Sequence, residues 1–481
     1  MTLNLIVIGI YMAVMIGIGF YSKRRATSEA DFLVAGRRLG PVLYAGTMGA
    51  LVMGGGATVG GIGLGYQFGI SGMWLAFSLG FGVLVVSLTI ASLINRLKIY
   101  TVAQMLELRY GPGTAVISGF VQLGYAFMIA VTSTIAYGSI FQVLFGLEKL
   151  PAVLLGGGIV VLYSVLGGMW SITLTDFVQF IIKTVGIFVI LLPAVWFAVG
   201  GMDGLHASLP DSAFDLTARG WGTIFSYLII YNLSIVIGQD VWQRIFTARS
   251  DKVAKWAGAA AGFYCFFYAL AGAFIGMGAK VLLPNIENRN TVYGMVVDHV
   301  LPAGLSGLVL AAALAAIMSV SSGTLIASAT VAKQDIVRGF KKKRLKTEEE
   351  QQTESHDEVQ GSRGYILFFG ALMIAMAAAL NDVVAAIAIG SAIVVTGLFI
   401  PIMGGLFWKR ANITGTIASI AAGIIVTFGH MIYVQNPDSD TSIFYGMGAG
   451  FIAYIVGTFM GKPTDPAVLA EWERRSAKPA A

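Results

Sequence analysis

Ser319 and Ser322 stand three residues apart in the run Ala315 to Asp335, with Ser321, Thr324 and Ser328 nearby, yet the stretch is apolar enough to sit in a bilayer. On a helix that spacing puts both hydroxyls on one face, with Ala316 a turn before. In lipid such a face needs a helix partner, water or an ion. Two readings stand. Small and hydroxyl residues line membrane helix interfaces as ordinary packing. Alternatively, hydroxyls and nearby carbonyls hold a cation or a solute.

A second set is Asp176, Gln179 and Lys183, at i, i+3 and i+7 on one helical face. An ionisable side chain at mid-membrane is a functional-site candidate by default. Asp176 lies near a span end, where an interfacial carboxylate is the alternative. Lys183 lies deeper, and snorkelling back would cross two helical turns. Its alternative is a buried ion pair with a carboxylate.

These groups need irregular backbone to work against, and two segments offer it. Gly49 to Gly61 contains Gly54-Gly55-Gly56, each glycine weakening a helix by about 1 kcal/mol relative to alanine. Unwound backbone at membrane depth survives only where it lines a cavity or is buried in protein. Its carbonyls can bind a cation and its N–H groups a carboxylate. A glycine-rich packing seam is the alternative. Asn232 and Gly238 mark the second candidate break, ahead of Gln239-Asp240-Val241-Trp242-Gln243-Arg244.

The composition agrees with a membrane setting. The 481 residues are 57% hydrophobic and 12% charged, against about 25% charged in an average soluble domain. The 61 glycines suit close helix packing. The net charge of +6 reads as loop basicity and not as a nucleic-acid surface. The single cysteine, Cys265, excludes an internal disulfide, and four scattered histidines give no metal spacing. Met1 to Phe20 is apolar from its start, without the basic n-region or cleavage site of a signal peptide.

The expected fold is an all-α polytopic membrane protein of about thirteen transmembrane helices. The spans fall near 3–21, 41–69, 73–95, 113–145, 151–168, 174–200, 220–243, 256–284, 303–333, 363–381, 383–407, 412–434 and 443–461. The basic clusters Lys23-Arg24-Arg25, Arg37-Arg38, Arg96, Lys98, Arg244, Arg249, Lys252, Lys255, Lys341 to Arg344, Lys409-Arg410 and Arg474-Arg475 fall on one side. Lys149, Arg219, Lys280 and Arg289 fall on the other. The positive-inside rule then places the N-terminus outside and the C-terminus in the cytoplasm, in the plasma membrane. Spans two to six and seven to eleven are equal in number, inverted relative to each other, and each set opens on an interrupted span. That is the pattern of a 5+5 inverted-repeat secondary transporter with two discontinuous helices. The organisation expected is 1–40, a flanking helix and cytoplasmic loop; 41–200, the first repeat; 201–218, an external loop; 219–407, the second repeat with a solvated linker at 341–362; 408–461, flanking helices; and 462–481, a polar, disordered cytoplasmic tail.

Several segments together resemble the sodium/solute symporter family, whose members carry proline, sugars, pantothenate, iodide, sialic acid and monocarboxylates. They are Tyr66 to Trp74, Gly167-Gly168 with Thr175-Asp176 and Gln179, Gln239 with Gln243-Arg244, Ala315 to Asp335, and Pro401 to Asn412. The likeness covers nearly the whole chain. It implies a sodium site made of the carbonyls of Ala50, Met53 and Ala316 and the hydroxyl of Ser319. The family's second hydroxyl falls on Val320, which offers sodium nothing. Some members have a further sodium site, matched here by Asp176 and Ser322, whose other serine falls on Gly323. One ligand is thus missing where an unexpected Lys183 sits on the flanking helix, two turns or about 10 Å deeper than Asp176.

The resemblance therefore implies one of two coupling ions. The Lys183 ammonium takes the vacated position against Ala50, Met53, Ala316 and Ser319, and proton binding and release replace sodium, as desolvation disfavours a charged buried amine. Or sodium remains with four ligands plus water, and Lys183 pairs with Asp176. The solute belongs at mid-membrane among Gly54, Gly55, Gly56 and Ala57, Gly238 and Gln239, Trp74 and Trp242, and Ser391 and Thr396. Packing is the alternative for each aromatic. Sugar carriers place polar groups where this chain has Gly238 and small residues in span two. A small carboxylate, either an amino acid or a monocarboxylate, fits better. The expected function is inward, cation-coupled symport by a monomer embedded in the lipid bilayer, without a cofactor. A non-transporting solute sensor is the rival, and no catalytic dyad or metal triad supports an enzyme.

Overall fold

The computed structural model describes residues 2–341, 356–380, 383–436 and 439–477. Among them, ten helices are long and apolar enough to cross a membrane, and the pair Trp221–Ile237 and Gln239–Ile245, bent by 50°, supplies an eleventh crossing. Two of the ten are compound. Lys149–Ala198 has 50 residues, where a bilayer core needs about 20. It leaves helical geometry at Gly168, with φ 54 and ψ −140. A Cβ on Gly168 would lie 2.5 Å from the Phe32 carbonyl oxygen, so glycine is required there twice over. Gly56–Thr89 is interrupted by the tight turn Gly69–Met73. Its first part completes the span begun by Pro41–Val52. Dividing both gives thirteen crossings among the described residues.

The hydroxyl-rich helix Leu305–Val331 is the axis of the bundle. Most of its side chains are buried. Around it pack Lys149–Thr184, Thr114–Phe145, Pro41–Val52 and Thr2–Lys23. An axial helix of small, apolar and hydroxyl residues, with no charged face, suits a site enclosed by protein. Ile413–Tyr433 and Asp440–Met460 pair mainly with each other. Large apolar side chains such as Ile425 and Met460 stay exposed there, as a surface facing acyl chains needs.

Three expectations about connections are corrected. Segment 201–218 carries the helix Gly201–Ser208 and the turn Asp211–Phe214, so it is no simple loop. The tail is not disordered throughout: Pro466–Ser476 is a helix capped by Asp465, which accepts from Ala467 N–H, and it buries Trp472. Arg244, counted among loop cations, has a side chain 0% exposed. Most of the linker 341–362 lies outside the described residues, and its last part already belongs to the helix His356–Ala379.

Candidate functional site

The first broken span makes the centre of the site. Helix Pro41–Val52 ends at Met53, whose φ of −90 and ψ of 63 are not helical. Helix resumes with Thr58 N–H donating to the Gly54 carbonyl at 2.8 Å. A helix ending at mid-span leaves carbonyls without intrahelical partners. Lys183 Nζ supplies one, donating to the carbonyls of Gly49 at 2.9 Å, Ala50 at 3.1 Å and Met53 at 3.3 Å. An ammonium at a helix C-terminus also meets the negative end of the helix dipole. Lys183 is 0% exposed and lies 5.6 Å from the centre of the Tyr268 ring, whose hydroxyl is 2.7 Å from that of Thr58.

Ser319 adds a second cap. Its Oγ donates to the Ala50 carbonyl at 2.7 Å and sits 3.2 Å from that of Ala316. Ala316 therefore does not accept from Lys183. Its carbonyl points along its own helix, and Gly49, one residue before Ala50 on the facing segment, takes that place. Val320 packs on the break: a Cβ on Gly54 would lie 2.0 Å from Val320 Cγ2. In this arrangement the carbonyls of Gly49, Ala50 and Met53 accept from the Lys183 ammonium, and Val320 offers no oxygen beside Ser319.

Asp176 belongs to another cluster. Its Oδ2 accepts from Thr47 Oγ1 at 2.5 Å and from Arg244 NH2 at 2.9 Å. Both partners of the Asp176–Arg244 pair are 0% exposed. The pairing of Asp176 with Lys183, one of the two expectations, is thus replaced by a pair with Arg244. The arginine reaches Asp176 because the second broken span turns at Gly238. Ser322 does not join: its Oγ donates to the Ser319 carbonyl at 3.2 Å. A Cβ on Gly323 would lie 2.6 Å from Arg244 NH2, so the guanidinium fills the space a serine would occupy. Gln179 Nε2 donates to the Tyr11 hydroxyl at 3.0 Å, facing the N-terminal helix.

Between the two breaks lies a cavity. Gly54, Gly55, Gly56, Ala57 and Ser391 line it, with Tyr125, Thr132, Ser133, Ser234, Asp240 and Val320. Ser391 Oγ is buried without a hydrogen-bond partner among the described residues. Gly238, with φ −68 and ψ 134, makes the turn beside it. A Cβ on Gly238 would lie 2.6 Å from the Tyr125 hydroxyl and 2.8 Å from Asp240 Oδ1.

Gly238 turns beside the cavity without lining it, and four further expected solute residues lie away from it. Gln239 holds the Val102 N–H at 2.8 Å and the Tyr100 carbonyl at 3.0 Å, tying the bent helix to a neighbouring connection. Trp242 Nε1 donates to the Val236 carbonyl at 2.8 Å, bridging its own helix break. Trp74 begins its helix at the turn Gly69–Met73 and donates to the Leu216 carbonyl at 2.7 Å, in the segment beyond span six. Thr396 bonds back to the Ala392 carbonyl at 2.7 Å. In each case the polar group is already satisfied by backbone. Sequence reasoning missed Gly49, Thr47, Tyr125 and Asp240. Only Asp240 carried a signal, an acid two residues past the Gly238 break.

Two interrupted helices facing a buried axial helix define a multi-pass membrane transporter built on an inverted repeat. The chain belongs to the sodium:solute symporter family, whose model matches residues 32–423; it is a cation-coupled symporter and not an enzyme. It is 24% identical to a sodium/proline symporter of Staphylococcus aureus, over 95% of this chain and 91% of that protein. Its fold is similar to that of a sodium-coupled sialic acid symporter in a substrate-bound, outward-open state, with TM-score 0.78, 20% identity and coverage of 96% and 99% of the two chains. It is also similar to the nucleobase-cation-symport-1 transporter Mhp1 with bromovinylhydantoin bound, with TM-score 0.61, 13% identity and coverage of 93% and 98%.

Proposed function

We propose that the protein carries a small, carboxylate-bearing organic solute into the cell by alternating access, with proton binding and release at Lys183 taking the place of sodium. The observation that carries this reading is the Lys183 ammonium set on the carbonyls of Gly49, Ala50 and Met53. Charged, Lys183 bridges the C-terminal end of Pro41–Val52 and holds the break in its present shape. Neutral, it donates fewer hydrogen bonds and loses its attraction to the dipole, so the break is free to rearrange. Coupling then follows because the same break lines the solute cavity: Gly54 to Ala57 belong to both. The solute's carboxylate is held by the N–H groups of Gly55, Gly56 and Ala57, at the start of the resumed helix.

A second reading retains sodium as the coupling ion. Membership of a sodium:solute symporter family favours it, with Lys183 displaced in another conformation. Proteoliposome uptake with sodium and proton gradients imposed separately distinguishes the two. Uptake in sodium-free buffer under an inward proton gradient supports Lys183, and strict sodium dependence removes it. A sensor that binds without moving solute would accumulate none under either gradient. The basic clusters favour an external N-terminus and a cytoplasmic C-terminus in the plasma membrane, which cysteine labelling of a terminal variant would test. A monomer in the bilayer suffices, since both broken spans and the axial helix lie in one chain.

A further inference from the structure

Among the described residues Asp240 is the one acid in the lining of this cavity. It is 3% exposed and sits two residues past the break at Gly238. The hydrogen bond given to its carboxylate by another side chain comes from the Tyr125 hydroxyl, 3.1 Å from Oδ1. Arg244 lies four residues on, one helical turn away; its NH2 bonds Asp176 at 2.9 Å, and its nearest approach to Asp240 is not an ion pair. Lys183 is committed to three carbonyls of the first break. Among the described residues no cation comes within ion-pair distance of Asp240.

The rest of the polar lining does not make up for this. Thr132 and Ser234 spend their hydroxyl protons on carbonyls of their own helices, at Met128 and Tyr231. Ser391, 1% exposed, has no hydrogen-bond partner among the described residues. A buried carboxylate served only by neutral donors, here the Tyr125 hydroxyl and the backbone N–H groups of Asp240 and Val241, is costly unless a cation reaches it. A solute that brought only another carboxylate would add like-charge repulsion in a low-dielectric site.

We propose that Asp240 is the specificity-determining residue of the cavity and pairs with a cationic nitrogen on the solute, so that the solute class is a small zwitterion of the amino-acid type and not a plain monocarboxylate. The proposal rests on the reading of this cavity as the solute site. Tyr125 orients the carboxylate through Oδ1, the ammonium pairs with its charge, and Ser391 offers a further acceptor. Gly238 is part of the arrangement, since any side chain there would push between Tyr125 and Asp240.

The test is uptake of labelled L-alanine and L-proline against propionate and L-lactate in proteoliposomes, with proton and sodium gradients both imposed. L-alanine and propionate differ only in the ammonium group. The expectation is accumulation of at least one amino acid, with at least about tenfold preference over both acids. Asp240→Asn, close to isosteric, should lower that uptake at least about tenfold while the purified protein stays monodisperse and keeps its unfolding temperature. Asp240→Glu should retain more uptake than Asp240→Asn. Uptake of propionate or lactate without the amino acids would overturn the assignment and leave the transport reading standing. Undiminished amino-acid uptake by Asp240→Asn would overturn it as well. Accumulation of neither class would overturn both.

Discussion

Lys183 Nζ lies 3.1 Å from the carbonyl oxygen of Ala50, and the Ser319 hydroxyl donates to that same oxygen from the other side at 2.7 Å. One carbonyl at a helix break therefore joins span six to the axial helix. This contact links the cation-like charge of the protein to the wall of the cavity, because Gly54 to Ala57 follow directly.

The missing sodium ligand predicts an exchange of coupling ions. Lys183→Ala should lose uptake driven by a proton gradient. Lys183→Ala with Val320→Ser restores an open set of carbonyls and adds a hydroxyl beside Ser319. That double variant should regain uptake that depends on sodium, measured at fixed pH with sodium varied. Sodium-independent uptake by the double variant would contradict the reading.

The contact between Gly54 and Val320 predicts a rescue. Gly54→Ala would place its Cβ 2.0 Å from Val320 Cγ2, and branched valine cannot swing both methyls away in a helix. Uptake should fall at least about tenfold, as expected for overpacking a site by one methyl. Adding Val320→Ala removes the methyl at 2.0 Å but leaves Cβ at 2.8 Å, so it should restore part of the loss. Failure of the second change to help would mean the break itself requires glycine.

The Asp176–Arg244 pair predicts a coupled stability loss. Each partner is 0% exposed, so Asp176→Asn or Arg244→Gln leaves a buried charge unmatched, at about 3–5 kcal/mol. The double variant should be markedly more stable than the sum of the singles implies, read as unfolding temperature in detergent. Gly323→Ala should destabilise by the same route, since its Cβ would lie 2.6 Å from Arg244 NH2 and 2.8 Å from Leu51 Cδ1. Additive single effects would show that the pair contributes little.

Much of this arrangement could be read before any coordinates. Three consecutive glycines marked the first break, Gly238 the second, and the depth of Lys183 singled it out. Other parts were hidden for physical reasons. Which carbonyls a break exposes depends on the φ and ψ of Met53, so Gly49 could not be told from Ala316. Arg244 stands close in sequence to the loop cations Arg249 and Lys252, and only the 50° bend turns it inward to Asp176. The same bend decides that Asp240 faces the cavity while Gln239 and Trp242 face packing partners. The tail helix was legible and overlooked: Asp465 followed by Pro466 is an N-cap with proline at the first helical position.

The most direct measurement is solute uptake in sodium-free proteoliposomes under an inward proton gradient, wild type against Lys183→Ala, using the L-alanine and L-proline probes. The account predicts accumulation by the wild type that collapses with the gradient and is lost in the variant. Wild-type uptake that requires sodium, or a Lys183→Ala variant that still accumulates solute on the proton gradient, would contradict it.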